Sequence, residues 1–195
     1  PCDLQFISVY FGPLPKESYV SSCLSEIFGY SFNNKALLQQ ALTHPSFLNE
    51  SRDTALSDYQ RLEFLGDAVL GLCLADLLSE RFPDLPEGDL SRMRASLVDQ
   101  PRLAELAMQA GIGPMILLGK GEEKGGGRQR PSMLADAVEA VIGAVYIDSG
   151  YGVSHAMVTR WLGDVADEIQ RAGEDFKSRL QERLQRRRQM PRRTK

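Results

Sequence analysis

Two acid-bearing stretches decide the fold of this chain: Gln60-Arg-Leu-Glu-Phe-Leu-Gly-Asp-Ala-Val-Leu70 and Met133-Leu-Ala-Asp-Ala-Val-Glu-Ala-Val-Ile-Gly143. Residues three or four apart lie on one face of a helix, so Glu63 pairs with Asp67. By the same spacing, Asp136 pairs with Glu139 in the second stretch. The apolar neighbours predict burial, where two adjacent carboxylates repel each other unless a cation offsets them. Two such pairs brought together would supply the oxygen ligands that Mg²⁺ prefers.

A simpler interpretation of these acids stays open, because acids at this spacing are common on solvated helix faces. A single pair would therefore carry little weight, whereas two pairs in apolar runs favour a metal site. Neither His44 nor His155 has the spacing of a metal partner for the acids, and we predict no catalytic role for either. The missing Glu-x-x-His pairs also argue against a di-iron helical bundle.

The rest of the chain predicts an all-α fold, because sustained strand alternation is missing apart from an ambiguous stretch at 6–11. We expect Asn33 or Asn34 to cap a helix, and Ser57 with Gln60 to form a capping box before the long one. A glycine-rich charged loop at 119–130 lacks the pattern of a phosphate-binding P-loop, and we expect it to be mobile. The helices are predicted at about 16–28, 34–43, 59–81, 89–98, 101–111, 132–148 and 153–171.

Composition indicates a soluble protein of one domain. The 195 residues are 43% hydrophobic, without an apolar run that could span a membrane or a basic leader that would indicate secretion. Three cysteines without metal-type spacing are typical of reduced thiols, so we expect a cytoplasmic location. Charge is uneven: residues 176–195 hold nine Lys or Arg and one acid, a net +8, which leaves −11 for residues 1–175. The basic end either binds phosphates or is a solvated tail.

The segment Arg61-Leu-Glu-Phe-Leu-Gly-Asp67 resembles the signature block of ribonuclease III, the double-stranded RNA endonuclease. The resemblance covers roughly residues 24–172, with its motifs in the family's order. It implies an all-α endonuclease domain that dimerises. Further support comes from Leu37-Leu-Gln-Gln-Ala-Leu-Thr-His44, Pro86-Glu-Gly-Asp-Leu-Ser-Arg-Met-Arg94, residues 119–132, and Leu134-Ala-Asp-Ala-Val-Glu-Ala-Val-Ile-Gly-Ala-Val-Tyr146.

The resemblance also implies the chemistry. Water would attack the phosphorus of double-stranded RNA with the help of Mg²⁺, for which Mn²⁺ can substitute, leaving 5′-phosphate and 3′-hydroxyl ends. Asp67 and Glu139 would be tied most closely to the chemical step. The cellular tasks implied are ribosomal RNA maturation and messenger RNA turnover. The metal ligands of the family fall on Glu63, Asp67, Asp136 and Glu139.

Contacts with RNA and with a second subunit are implied in the same way. Phe64 would insert into the partner of a homodimer, although burial in the core is the ordinary interpretation of such a residue. Gln60 stands where the family usually has Glu, so any contact that this acid makes is altered here, while we expect activity to survive. The residues implied for RNA contact are Glu87, Arg92, Arg94, Lys120 and Arg128.

These observations predict three parts: an N-terminal extension at 1–15, a ribonuclease III catalytic domain at 16–173, and a basic tail at 174–195. The tail resembles the first helix of the family's double-stranded RNA-binding domain, without the rest of that domain. Two other functions stay open. One is a non-catalytic RNA-binding or assembly protein on the same fold, which the four retained acids disfavour. The other is a helical phosphohydrolase acting on nucleotides, which the signature block disfavours.

Overall fold

The structure is a computed structural model that describes residues 29–51 and 56–189, with side chains up to residue 172. Within these residues it contains helices and no strand, apart from an isolated bridge between Thr43 and Leu117, which confirms the predicted all-α class. Short 3₁₀ turns occupy Gly113–Met115 and Gly127–Gln129. The α-helices are α1 Lys35–Ala41, α2 Pro45–Glu50, α3 Gln60–Arg81, α4 Glu87–Leu97, α5 Gln100–Gln109, α6 Lys120–Lys124 and α7 Pro131–Gln189.

The starts of three helices show what the sequence predicts and what it misses. The Asn34 side chain accepts a hydrogen bond from the Ala36 N–H and caps α1 as predicted. The predicted capping box is wrong: Tyr59 occupies the cap of α3 without a side-chain bond, and Asp58 accepts from the Gln60 N–H instead. Helix α2 was not predicted, because a helix of 6 residues leaves almost no periodic signal in the sequence.

Helix α7 joins two segments that the sequence predicts as separate helices. Gly150 has a non-helical backbone with φ of 75°, and the chain bends there. Just before the bend, the Asp148 carboxylate accepts from the Tyr30 hydroxyl at 2.5 Å and from the Asn33 N–H at 2.7 Å. This acid therefore fastens the start of the described chain to α7. Beyond the bend the helix continues to Gln189, past the predicted end at 171.

Helices α3 and α7 form the centre of the molecule and approach each other unusually closely. A Cβ atom at Gly66 would lie 1.8 Å from the Glu139 carbonyl oxygen, and one at Gly143 would lie 2.2 Å from the Leu62 carbonyl oxygen. Any side chain at either glycine would push the backbones apart. The two glycines therefore permit the close contact of these helices. Buried around the contact are Leu62, Leu70, Leu74, Val138 and Ile142.

Several predictions lie outside the described residues. These are the helix at 16–28, the ambiguous stretch at 6–11, the extension at 1–15, and the thiols of Cys2 and Cys23. Cys73 is a free, fully buried thiol whose pKa is raised by burial to about 11. Where the structure describes the chain, no helix is both long enough and apolar enough to cross a bilayer.

Candidate metal centre

The close contact of α3 and α7 brings carboxylates from both helices together. Glu63 from α3 and Asp136 and Glu139 from α7 each offer an oxygen, and these atoms all lie within 4.8 Å of one another. All three residues are half-buried. We call this set the acidic pocket. It contains Glu63 of the predicted pair on α3 and both members of the predicted pair on α7.

Asp67, the fourth predicted ligand, is exposed and falls outside that 4.8 Å set. It nevertheless lies close enough to Glu139 and Glu63 for its charge to raise the pKa of both. The structure therefore places Asp67 at the border of the acidic pocket. The helical spacing predicts the shared face correctly, but it does not give the direction of each carboxylate.

Burial and mutual repulsion make the negative charges of the acidic pocket costly. Burial is the main cause that raises the pKa of Glu139 to about 7, and the charges of Asp67 and Asp136 raise it further. Burial also raises the pKa of Glu63 and of Asp136. Protonation or a bound cation would relieve this cost.

The donor set of the acidic pocket suits a divalent cation. Carboxylate oxygens are hard ligands that favour Mg²⁺ over softer metals. Among the ion pairs of the side chains described, none involves these three acids, so no Lys or Arg offsets their charge. Like charges held together in a partly buried place, without a basic partner, fit the residues to a cation such as Mg²⁺.

Two further side chains border the acidic pocket that sequence reasoning did not place there. Tyr59 is buried, and burial together with the charges of Asp136 and Glu63 raises its pKa. His44 packs against Tyr59 edge to face, with ring centroids 5.7 Å apart. Burial lowers the pKa of His44, although Glu122 and Asp136 act in the opposite direction. No local pattern could have revealed this neighbourhood, because residues 44 and 136 are brought together only by tertiary packing.

The segment at 119–130 is held by one arginine and is not the open loop that the sequence suggests. Arg128 donates through Nε to Glu123 and through Nη1 to the carbonyl oxygens of Gly113, Pro114 and Ile116. Its Nη2 lies 2.6 Å from the Glu123 carboxylate. These bonds tie α6 and the second 3₁₀ turn to the first one, which gives Arg128 a structural role.

Comparison with known proteins identifies the family. A family model described as Ribonuclease-III-like matches residues 34–165. The chain is 51% identical over 158 residues to the Ribonuclease 3 of Albidiferax ferrireducens, covering 80% of this chain and 66% of that protein. It is 44% identical over 174 residues to the Ribonuclease 3 of Desulforamulus reducens, covering 88% of this chain and 71% of the relative.

The chain belongs to the ribonuclease III family. This confirms the predicted family and the predicted class of enzyme, an endoribonuclease. A nuclease domain of ribonuclease III from Campylobacter jejuni has the same fold, with a TM-score of 0.66 and 39% identity, covering 73% of this chain and 95% of that one. Its description mentions a flexible region involved in dimer formation. Dicer from Pichia stipitis, at 21% identity and a TM-score of 0.52, shares the fold alone.

The predicted RNA-contact residues of this ribonuclease III chain differ in their surroundings. Arg94 and Lys120 are exposed. Arg92 is exposed and paired with Asp89, and the Glu87 carboxylate accepts from the Ser91 hydroxyl. These four side chains reach solvent, whereas the Arg128 guanidinium is engaged within the protein. Contact between RNA and any of the five stays a prediction.

Phe64 is oriented away from the interior although its two neighbours are not. Its side chain is 82% exposed, while Glu63 and Leu65 on either side are partly buried. The interpretation of Phe64 as a core residue is therefore wrong for the single chain. Leu72 lies two turns further along α3 and is also exposed, at 56%. Exposed large apolar side chains on one helix face are typical of a surface that another protein covers.

Proposed function

We propose that this chain is a Mg²⁺-dependent endoribonuclease that hydrolyses double-stranded RNA and leaves 5′-phosphate and 3′-hydroxyl ends. The observation that carries the proposal is the acidic pocket: three carboxylates from two helices offer oxygens within 4.8 Å of one another, and none takes part in an ion pair among the described residues. Mn²⁺ would be accepted by the same oxygen ligands in place of Mg²⁺. The family assignment supports the reaction class.

The proposed chemistry assigns roles to four acids. Glu63, Asp136 and Glu139 would hold the metal, and Asp67 would join them from the border of the acidic pocket. When bound, the metal would polarise the phosphodiester and lower the pKa of a water molecule. Glu139 and Asp67 would lie closest to the reacting atoms. Gln60 is exposed at the first turn of α3, so its amide would alter local charge without removing a ligand.

Double-stranded RNA would be recognised through its A-form shape and backbone, and not through its base sequence. Exposed Arg92, Arg94 and Lys120 would contact phosphates, with Glu87 near the cleavage point. We propose residues 16–173 as the catalytic domain, with residues 1–15 as an extension. The tail at 174–195 would add salt-dependent affinity through its positive charge. The chain backbone remains helical across the proposed boundary at 173, up to Gln189.

A homodimer would bury the exposed apolar face of α3. We expect Phe64→Ala to remove an anchor that is 82% exposed in the single chain and to yield monomers in light scattering. Met108→Ala serves as the control, because Met108 is 58% exposed and lies on a different helix, α5. A Phe64→Ala protein that keeps the mass of a dimer would contradict this part of the proposal.

In the cell, we propose a cytoplasmic enzyme of ribosomal RNA maturation and messenger RNA turnover. This rests on the family resemblance and on the expectation of reduced cysteines.

The decisive experiment compares wild type with Glu139→Gln on duplex RNA, with Mg²⁺ and with a chelator. We expect wild type to cleave with Mg²⁺ and not with the chelator, and the variant to cleave about 1000-fold more slowly with Mg²⁺. Glu168→Gln, which changes an exposed acid elsewhere on α7, should cleave normally. Binding of RNA without cleavage in the wild type would favour the non-catalytic alternative. Hydrolysis of nucleotides instead of RNA would favour a phosphohydrolase.

A further inference from the structure

The start of α3, which carries Glu63 in its first turn, is fastened to the end of α1. The Tyr59 N–H donates to the Thr43 carbonyl oxygen at 3.0 Å. The side-chain amide of Gln40 donates through Nε2 to the Asp58 carbonyl oxygen, also at 3.0 Å. Two consecutive residues before α3 are therefore bound to one neighbouring helix end, one through the backbone and one through a side chain.

The hydrogen bonds continue from residues 58 and 59 to the acidic pocket. The Glu63 N–H donates to the Tyr59 carbonyl oxygen at 2.8 Å and closes the first turn of α3. Tyr59 makes no side-chain bond as the cap residue, whereas Asp58 Oδ1 accepts from the Gln60 N–H at 3.1 Å. Because the hydrogen bonds of a helix fix each turn on the one before it, residues 58 and 59 decide where Glu63 lies.

The end of α1 that makes these bonds is itself bonded to another segment. The Leu117 N–H donates to the Leu42 carbonyl oxygen at 2.7 Å, and the His44 N–H donates to the Leu117 carbonyl oxygen at 3.0 Å. Thr43 is fully buried, and its hydroxyl donates to the Gln39 carbonyl oxygen at 2.7 Å. Displacing residues 42–44 would break hydrogen bonds to two other segments, so they form a firm support for the start of α3.

We propose that Gln40 is a positioning residue of the acidic pocket, whose amide holds the turn before α3 and so places the Glu63 carboxylate beside Asp136 and Glu139. This inference rests on the proposed function, since it concerns how the acidic pocket binds a divalent cation. Removing a partner that bonds directly to a metal ligand typically costs about 10- to 100-fold in metal affinity or activity. Gln40 acts through the backbone, so we expect the lower end of that range.

A purely structural role for Gln40 predicts a different behaviour. Losing a partly buried hydrogen bond lowers the stability of the fold, whatever the bond positions. Metal affinity measured at a temperature where every variant is folded would then equal that of wild type. Stability and metal affinity therefore separate the two roles.

The first test measures the binding of Mg²⁺ and Mn²⁺ to the RNA-free protein by calorimetry. Gln40→Met keeps the length of the side chain without a donor, and we expect it to bind about 10-fold more weakly. The matched control is Gln39→Met, which changes the exposed neighbour in the same helix and should bind as wild type.

A second variant keeps the test valid if Gln40→Met does not fold. Gln40→Asn keeps the amide but is one methylene shorter, so its donor falls short of the Asp58 carbonyl oxygen. We expect this variant to bind the metals more weakly than wild type as well. An asparagine variant with wild-type affinity would show that the hydrogen bond to Asp58 does not position the acidic pocket.

Hydrogen exchange of the metal-free protein gives an independent readout. We expect the amides of Tyr59 and Glu63 to exchange faster in Gln40→Met than in wild type, and at the wild-type rate in Gln39→Met. Unchanged exchange at both amides, or equal metal affinity in wild type and the Gln40 variants, would overturn the role of Gln40 and leave the proposed function intact. A wild type without affinity for either metal would overturn both.

Discussion

Two regions of this molecule that contain acidic side chains differ in how the negative charge is balanced. In the segment at 119–130, each glutamate has an arginine: Glu123 lies 2.6 Å from Arg128, and Glu122 lies 3.0 Å from Arg130. In the acidic pocket, Glu63, Asp136 and Glu139 converge within 4.8 Å, and none of them takes part in an ion pair of the described residues. Arginines of the same segment neutralise the glutamates of the first region. The carboxylates of the acidic pocket have no such partner and would be neutralised by a bound cation.

This difference separates structural acids from functional ones. A carboxylate that is paired and hydrogen-bonded recovers the cost of its burial, so it can hold segments together. Carboxylates gathered without a partner raise the free energy of the folded chain, and a fold retains them where a ligand restores the balance. Sequence spacing alone does not make this distinction, because the arginine partners of Glu122 and Glu123 stand five to eight residues further along the chain and meet them only in the folded segment.

The largest expected effect comes from breaking the backbone contact that forms the acidic pocket. Gly66→Ala places a Cβ atom 1.8 Å from the Glu139 carbonyl oxygen, where only the backbone can give way. We expect a loss of about 3 kcal/mol or more in the free energy of unfolding, measured by denaturant titration, because overpacking against backbone is poorly relieved. Metal affinity should fall with it, since α3 and α7 separate.

The matched control for this change is Gly71→Ala in the same helix. No atom lies within 4 Å of the Cβ position there, so the variant should gain up to about 1 kcal/mol from helix propensity. The larger Gly66→Leu should lose at least as much stability as Gly66→Ala. Equal stability of the Gly66 and Gly71 variants would show that the close approach of the two helices is unimportant.

The sequence anticipates the acidic pocket because its determinants are local. Spacing predicts which acids share a helix face, and the backbone contact at Gly66 and Gly143 brings the two faces together. The Asn34 cap is predictable for the same reason. The role of Arg128 depends on partners further away along the chain. It binds carbonyl oxygens 12 to 15 residues away, which no periodicity encodes.

The second prediction concerns the segment at 119–130, where Arg128 pairs with Glu123. Arg128→Met keeps the apolar stem but removes every bond to Glu123 and to the carbonyl oxygens of residues 113, 114 and 116. We expect a loss of about 2–3 kcal/mol in unfolding free energy, because a partly buried carboxylate loses its partner. Arg102→Met is the control, since it breaks an exposed pair with Glu105 and should cost less than about 1 kcal/mol. Equal losses of unfolding free energy in the two variants would show that Arg128 does not hold the segment at 119–130 together.

The smallest expected effect is the dependence of the unfolding free energy on pH in the metal-free protein. This dependence reports the charge of the Glu139 carboxylate, which has no basic partner among the described residues. The folded-state pKa of Glu139 is about 7, well above that of an unfolded glutamate, so the folded chain binds more protons between about pH 4.5 and 7. Stability from this group is therefore present below that window and decreases as the pH rises through it. After a discount for solvent screening, we expect the decrease to be on the order of 1 kcal/mol.

Glu139→Gln isolates this contribution, because glutamine keeps the shape and does not titrate. Its unfolding free energy should vary less between pH 5 and 7.5 than that of wild type, while Glu168→Gln should follow the wild type. Saturating Mg²⁺ should reverse the slope in the wild type, since the cation binds only the deprotonated acids and adds stability as they ionise. A wild-type profile that stays flat without metal would mean that the acidic pocket already has a neutralising partner, and the contrast with the segment at 119–130 would disappear.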